Sequence, residues 1–146
     1  DQESTPLYSF GYGMSYTEFE YKNIEMEVLE GDEDVNVVVS FDLANTGSFD
    51  GEEVPQLYLI DEVSSAVSAV KQLRGFDRVP LMKGESRKVS FTLDQNDLKL
   101  WGANKDWQVE KGKFKVLIGP ASDNIKLNGE FEVMNSKIIK YSKRQN

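Results

Sequence analysis

Apolar and polar positions alternate with a period of two through most of the chain. Val35, Val37, Val39, Phe41 and Leu43 alternate with Asn36, Val38, Ser40 and Asp42. Val89, Phe91 and Leu93 repeat the pattern, and so do Phe114, Val116 and Ile118, with Lys113 and Lys115 on the opposite face. Ile125, Leu127, Phe131 and Val133 continue it, with Lys126, Asn128, Glu130 and Glu132 outward. Strands with one dry and one wet face predict antiparallel sheets. The first strand changes phase. Phe19 and Tyr21 are odd-numbered, whereas Ile24, Met26 and Val28 are even-numbered, which predicts a β-bulge near Asn23.

Turn residues punctuate these runs: Gly31 to Asp34, Asn45-Thr46-Gly47, Asp50-Gly51, Lys83-Gly84-Glu85 and Lys111-Gly112. The spacing predicts seven or eight strands, at about 18–29, 35–44, 53–60, 71–79, 86–93, 106–110, 113–119 and 125–133. Regular short strands with turn signals predict an all-β, two-sheet antiparallel β-sandwich. One place looks helical. Asp94 followed by Asp97 reads as a capping box, and the spacing of Leu98 and Trp101 would turn both inward over a single turn. The expected organisation is an aromatic-rich leader at 1–16, the sandwich at 17–134 and a basic tail at 135–146.

Composition narrows the chemistry. The 146 residues include no cysteine and no histidine. Disulfides and thiolate chemistry are thereby excluded, and the commonest general base and metal ligand are missing. No cofactor is expected. The net charge of −8 disfavours nucleic acid and anionic membrane as partners. The charge is uneven: from Met134 onward there are four bases and no acid, so the remainder carries −12. That tail is expected to be a solvated terminal segment. No run of 18 apolar residues occurs. A chain opening on Asp1 rather than Met is expected to be a fragment or a processed product.

Catalytic constellations are scarce. Gly11-Tyr12-Gly13-Met14-Ser15-Tyr16 lacks the third glycine of a dinucleotide fingerprint. Ser15 has no closing glycine for a nucleophile elbow and no histidine to activate it. Asp32, Glu33 and Asp34 lack the spacing of a calcium loop and read as a solvated hairpin. Asp50, Glu52 and Glu53 are a comparable acidic group, and acids are frequent enough here that pairs arise by chance. Trp101 and Trp107 could stack on sugar rings, but both are expected in the core. Residues 61–70 show no period and form a candidate long loop, read either as a mobile connection or as a carrier of binding.

Several motifs together resemble a known family. Pro6 through Thr17 is similar to the segment entering the C-terminal fibronectin type III-like domain of family 3 glycoside hydrolases. Asn45-Thr46-Gly47 with Gly51 through Leu59, and Lys71 through Val79, resemble the next two signatures. Gly84-Glu85, Asp97-Leu98 with Trp101, and Gly112 through Gly119 follow in the family's order, so the likeness covers residues 5–133. It departs at Ser68-Ala69, where the family often has Arg-Pro, and at Pro55, where a β-branched residue is common. Pro55 is therefore expected at a sheet edge or bulge.

The resemblance implies a non-catalytic accessory domain of a β-glucosidase or β-xylosidase, enzymes that hydrolyse O-glycosyl bonds with retention. In that family the nucleophile and the acid/base belong to other domains, so no catalytic residue is carried over. The partners implied are those catalytic domains, with oligosaccharide at a loop as a further candidate. Leu7, Tyr8, Phe10, Tyr12 and Tyr16 are the candidate interdomain contacts, with packing of this leader on its own sandwich as the alternative. Ser64, Ser65, Ser68 and Lys71 are the candidate loop near substrate or partner. The family's frequent export implies a periplasmic or secreted, bacterial location. Two other classes stay open: a carbohydrate-binding module using Trp107 and nearby tyrosines, and a fibronectin-like interaction domain. An exposed row of coplanar aromatics would favour the former.

Overall fold

A computed structural model describes residues 17–62, 70–101 and 105–139. Seven strands build two antiparallel sheets. The first sheet joins β1 (Phe19–Glu30), β2 (Val35–Asn45) and β7 (Ser86–Asp94), in the order β1-β2-β7. The second joins β4 (Gln56–Asp61), β5 (Gln72–Phe76), β10 (Gly112–Gly119) and β11 (Leu127–Val133), in the order β11-β10-β4-β5. Two small sheets complete the described residues: β3 (Gly51–Glu53) with β6 (Val79–Leu81), and β8 (Leu100–Trp101), β9 (Trp107–Val109) and β12 (Lys137–Ile138).

The alternating residues become the core. Val35, Val37, Val39, Phe41 and Leu43 of β2 are buried, and they meet Leu57, Leu59, Phe114, Val116 and Ile118 of the other sheet. Phe114 stacks on Phe131 at 5.1 Å, and Tyr21 stacks on Phe41 at 5.6 Å. Burying such side chains contributes about 2 kcal/mol each, which is why the two dry faces seek one another. The sheets meet edge over edge. Gly129 of β11 faces Met26 of β1, and Gly75 of β5 faces Phe91 of β7. The fold is thus the all-β sandwich that the alternation predicts.

The phase change in β1 is a bulge. The register with β2 shifts between Lys22 and Glu25, and Asn23 takes φ 61°. Its side-chain amide donates to Asp42 at 2.8 Å, which holds the left-handed conformation. The predicted helical turn is α1 (Gln95–Leu98), with a complete capping box between Asp94 and Asp97. It buries Leu98 against the core.

Two expected single strands are each broken. The stretch 53–60 divides at Val54-Pro55, and 71–79 divides at Asp77-Arg78. The two breaks face each other. β3 pairs with β6 on one side and β4 with β5 on the other, so one antiparallel ribbon kinks and changes sheet. Pro55 has no N–H to give a ladder, and its carbonyl accepts from the Asp77 amide at 3.2 Å across the kink. Beyond the kink Arg74 is an extra, bulged residue, and its Nε donates to the Asp97 carbonyl at 3.0 Å.

Candidate functional site

The described chain enters at Thr17, and a polar clamp holds that entry point. Asn45, at the end of β2, is 1% exposed. Its side-chain oxygen accepts from the Thr17 hydroxyl at 2.7 Å and the Gly47 amide at 3.0 Å. Its Nδ2 donates to the Phe49 carbonyl at 2.8 Å and the Leu81 carbonyl at 3.0 Å. Its own backbone bonds Glu85 and Gly84. An amide side chain offers two donors and two acceptor sites, and all four are used here. Gly47 follows because the backbone of Thr17 and Glu18 passes where a Cβ would sit. The Asn-Thr-Gly signature is therefore a structural clamp at the pole where the chain comes in.

A groove of about 540 Å³ opens at the same pole, between β3 and the β6–β7 turn. Pro80 and Met82 expose apolar side chains to it. Phe49, next to the lining residue Asp50, is also exposed.

The acids of this region do not converge. Asp50 accepts from the Lys83 amide at 2.8 Å, Glu52 pairs with Arg78 at 2.9 Å, and Glu53 accepts from the Tyr21 hydroxyl at 2.9 Å. Among the described residues no cluster of three or more Asp, Glu, His or Cys is arranged to hold a metal ion. Burial raises the Glu53 carboxyl above its ordinary range, although the Tyr21 bond, the Val54 amide and Lys126 pull the other way. Burial first, then the Glu53 charge and bond, push the Tyr21 hydroxyl well above its ordinary range, so it stays a donor. Tyr21→Phe is expected to cost about 2 kcal/mol, the usual magnitude for a bond to a charged group. It should also raise the Glu53 pKa further, read by NMR titration of that carboxyl. A carboxyl raised on folding makes the fold lose stability as pH rises through the window between its unfolded and folded values. That loss should be larger in the variant.

Among the loop candidates only Lys71 lies within the described residues. Its ammonium sits 5.7 Å from the centre of the Tyr58 ring and donates to the Ser122 carbonyl at 2.6 Å. Ser64, Ser65 and Ser68 lie outside the described residues, as do Leu7, Tyr8, Phe10, Tyr12 and Tyr16.

Trp101 corrects an expectation: it is 55% exposed rather than in the core. α1 stops at Leu98, Lys99 is extended at ψ 154°, and Leu100 and Trp101 run on as β8. The helical spacing that would have turned Trp101 inward ends before reaching it. Trp107 is half-buried, lies edge-on to Trp101 at 69°, and carries the Lys99 ammonium 4.8 Å from its ring centre. The two indoles are thus not coplanar.

The tail is also less solvated at its start than its charge suggests. Lys137 in β12 is 3% exposed, and its ammonium donates to Glu30 at 2.6 Å and to the Asn135 carbonyl at 2.8 Å. The Glu30 carboxylate accepts the Met134 and Asn135 amides as well, at 3.0 and 2.9 Å. No sequence pattern marks this latch, because its partners lie 107 residues apart.

Residues 53–122 match the fibronectin type III-like domain family. The chain is 40% identical over 134 residues to the periplasmic β-glucosidase of Salmonella typhimurium, covering 92% of itself and 17% of that protein. It is 40% identical over 124 residues to a putative β-xylosidase of Formosa agariphila, covering 85% of itself and 16% of the relative. The crystal structure of a β-glucosidase from Kluyveromyces marxianus matches with a TM-score of 0.75 at 34% identity, over 89% of this chain and 15% of that one. The chain is therefore a fibronectin type III-like β-sandwich domain. More narrowly, it belongs to the form of that domain carried by family 3 glycoside hydrolases, the family of β-glucosidases and β-xylosidases. It spans less than a fifth of the length of these relatives. Among the described residues no helix is long and apolar enough to cross a membrane.

Proposed function

We propose that this chain serves as the non-catalytic accessory domain of a longer retaining β-glycosidase, where it packs on the catalytic domains and stabilises them. The observation that carries this is the disparity in coverage: about nine-tenths of the chain matches, but only 17% of the first relative is covered. The nucleophile and acid/base then come from the rest of the polypeptide. The aromatic leader, through Leu7, Tyr8, Phe10, Tyr12 and Tyr16, acts as the strap to that body. The loop with Ser64, Ser65, Ser68 and Lys71 faces substrate or the partner domain. A periplasmic or otherwise exported location follows the relative named as periplasmic.

The purified chain is expected to release no nitrophenol from aryl β-glucosides or β-xylosides. Deleting the domain from the longer polypeptide should lower that enzyme's melting temperature and soluble yield. Turnover by the isolated chain, abolished by changing one of its own carboxylates, would overturn the reading. Calorimetry with gluco- and xylo-oligosaccharides adds a second check. Micromolar binding by the isolated chain would instead make it a carbohydrate-binding module.

A further inference from the structure

We infer that the groove between β3 and the β6–β7 turn is the docking site of the chain's own residues 1–16. This deepens the strap assignment and rests on it: a segment joining two bodies needs a hold on each, and the groove is its hold on the sandwich. Three observations lead there. The first is position. Thr17 is pinned by Asn45, and the same Asn45 amide holds the carbonyls of Phe49 and Leu81, at the groove's edge and in its lining. The segment therefore starts beside the groove, and sixteen residues at about 3.3 Å each span it several times over.

The second is chemistry. Ser4 through Tyr16 carries no charge and includes Leu7, Tyr8, Phe10, Tyr12 and Tyr16, apolar surface that water disfavours. The groove offers exposed Pro80 and Met82, with Phe49 alongside, rimmed by the acceptors Asp50 and Glu85. Tyrosine suits such a site, since its ring packs and its hydroxyl donates. The third is charge. The lining holds three acids and one base, and a second copy of a chain at −8 would be repelled, whereas the uncharged stretch from Ser4 to Tyr16 is not.

Two methionines make the test internal to the unaltered chain. Met82 in the groove and Met134 at the far pole are equally exposed in the described residues, at 63% and 62%. With the leader docked, peroxide should oxidise Met82 at least about fivefold more slowly than Met134, because sulfoxide formation follows exposure. The double variant Leu7→Ser/Phe10→Ser should abolish that difference. Equal rates in the unaltered chain would overturn the proposal, and so would protection that survives the leader variant.

Disulfide trapping gives a second reading in a chain that has no cysteine of its own. Met82→Cys paired with cysteine at Leu7, Tyr8, Phe10 or Tyr12 should give an internal cross-link in at least one case. Met134→Cys should give none. Cross-links only between molecules, or protection that rises with protein concentration, would identify a second copy as the occupant and sink the inference. Protection seen only in the longer enzyme would assign the groove to the catalytic body, which ends this proposal and leaves the accessory reading standing.

Discussion

Replacing Asn45 with alanine is expected to destabilise the chain by about 3 kcal/mol, since each buried polar group left unpaired costs about 1–3 kcal/mol. The substitution removes four side-chain hydrogen bonds at a residue 1% exposed. The carbonyl of Leu81 lies in the buried part of this network, where water is poorly placed to replace the lost donor. The expected fall in melting temperature is about 10 °C for a domain of this size. Equilibrium unfolding in urea measures it directly. Asn45→Asp separates the two halves of the clamp: it keeps the acceptor for Thr17 and Gly47 but sets a carboxylate against the carbonyls of Phe49 and Leu81. It should be at least as destabilising as alanine, because it replaces two bonds with two repulsions. Thr17→Val should cost only about 1 kcal/mol, the net value of one neutral hydrogen bond. A shift for Asn45→Ala no larger than that of Thr17→Val would show that the clamp is not what secures this pole.

The strands were legible because their cause is local: alternation places each side chain in or out whatever its partner. The bulge at Asn23 was legible for the same reason, since a change of phase in β1 requires an extra residue. The capping box of α1 depends only on Asp94 and Asp97, three positions apart. The ribbon kink was only half visible. Pro55 marked an edge or a bulge within an expected single strand, but the break there and the matching one at Asp77-Arg78 are set by pairing across the sheet, and nothing local marks the second. Trp101 was misplaced because the capping signal fixes where α1 begins and not where it stops. The Asn45 signature was visible as a motif, yet its partners Phe49 and Leu81 are fixed by the fold. Lys137 was hidden among tail bases, because burial of a lysine depends on an acid brought from the far end of the chain.

That latch is expected to be nearly as consequential as the clamp. Lys137→Met should cost about 3 kcal/mol, because removing one partner of a buried ion pair leaves the other charge uncompensated. The Lys137 side chain is 0% exposed and Glu30 only 14%, so solvent offers little relief. The double variant Glu30→Met/Lys137→Met should recover most of the loss, since two apolar side chains can fill the space without an orphaned charge. Met134 and Asn135 are exposed, so water can take over the amides that Glu30 releases. Burial alone would raise the Glu30 carboxyl. The bonds from Lys137, Met134 and Asn135, together with the Lys137 charge, outweigh burial and hold it below its ordinary range near 4.5. A carboxyl lowered on folding binds fewer protons in the folded than in the unfolded state between its two pKa values. Its stabilisation is therefore complete above the unfolded value and is lost as pH falls through the folded one. Acid titration of stability should show this loss below about pH 4.5 in the parent chain and a smaller one in Lys137→Met, where the carboxyl's main support is gone. Equal acid sensitivity in the two would mean that the amides of Met134 and Asn135, and not the buried ammonium, hold Glu30 ionised.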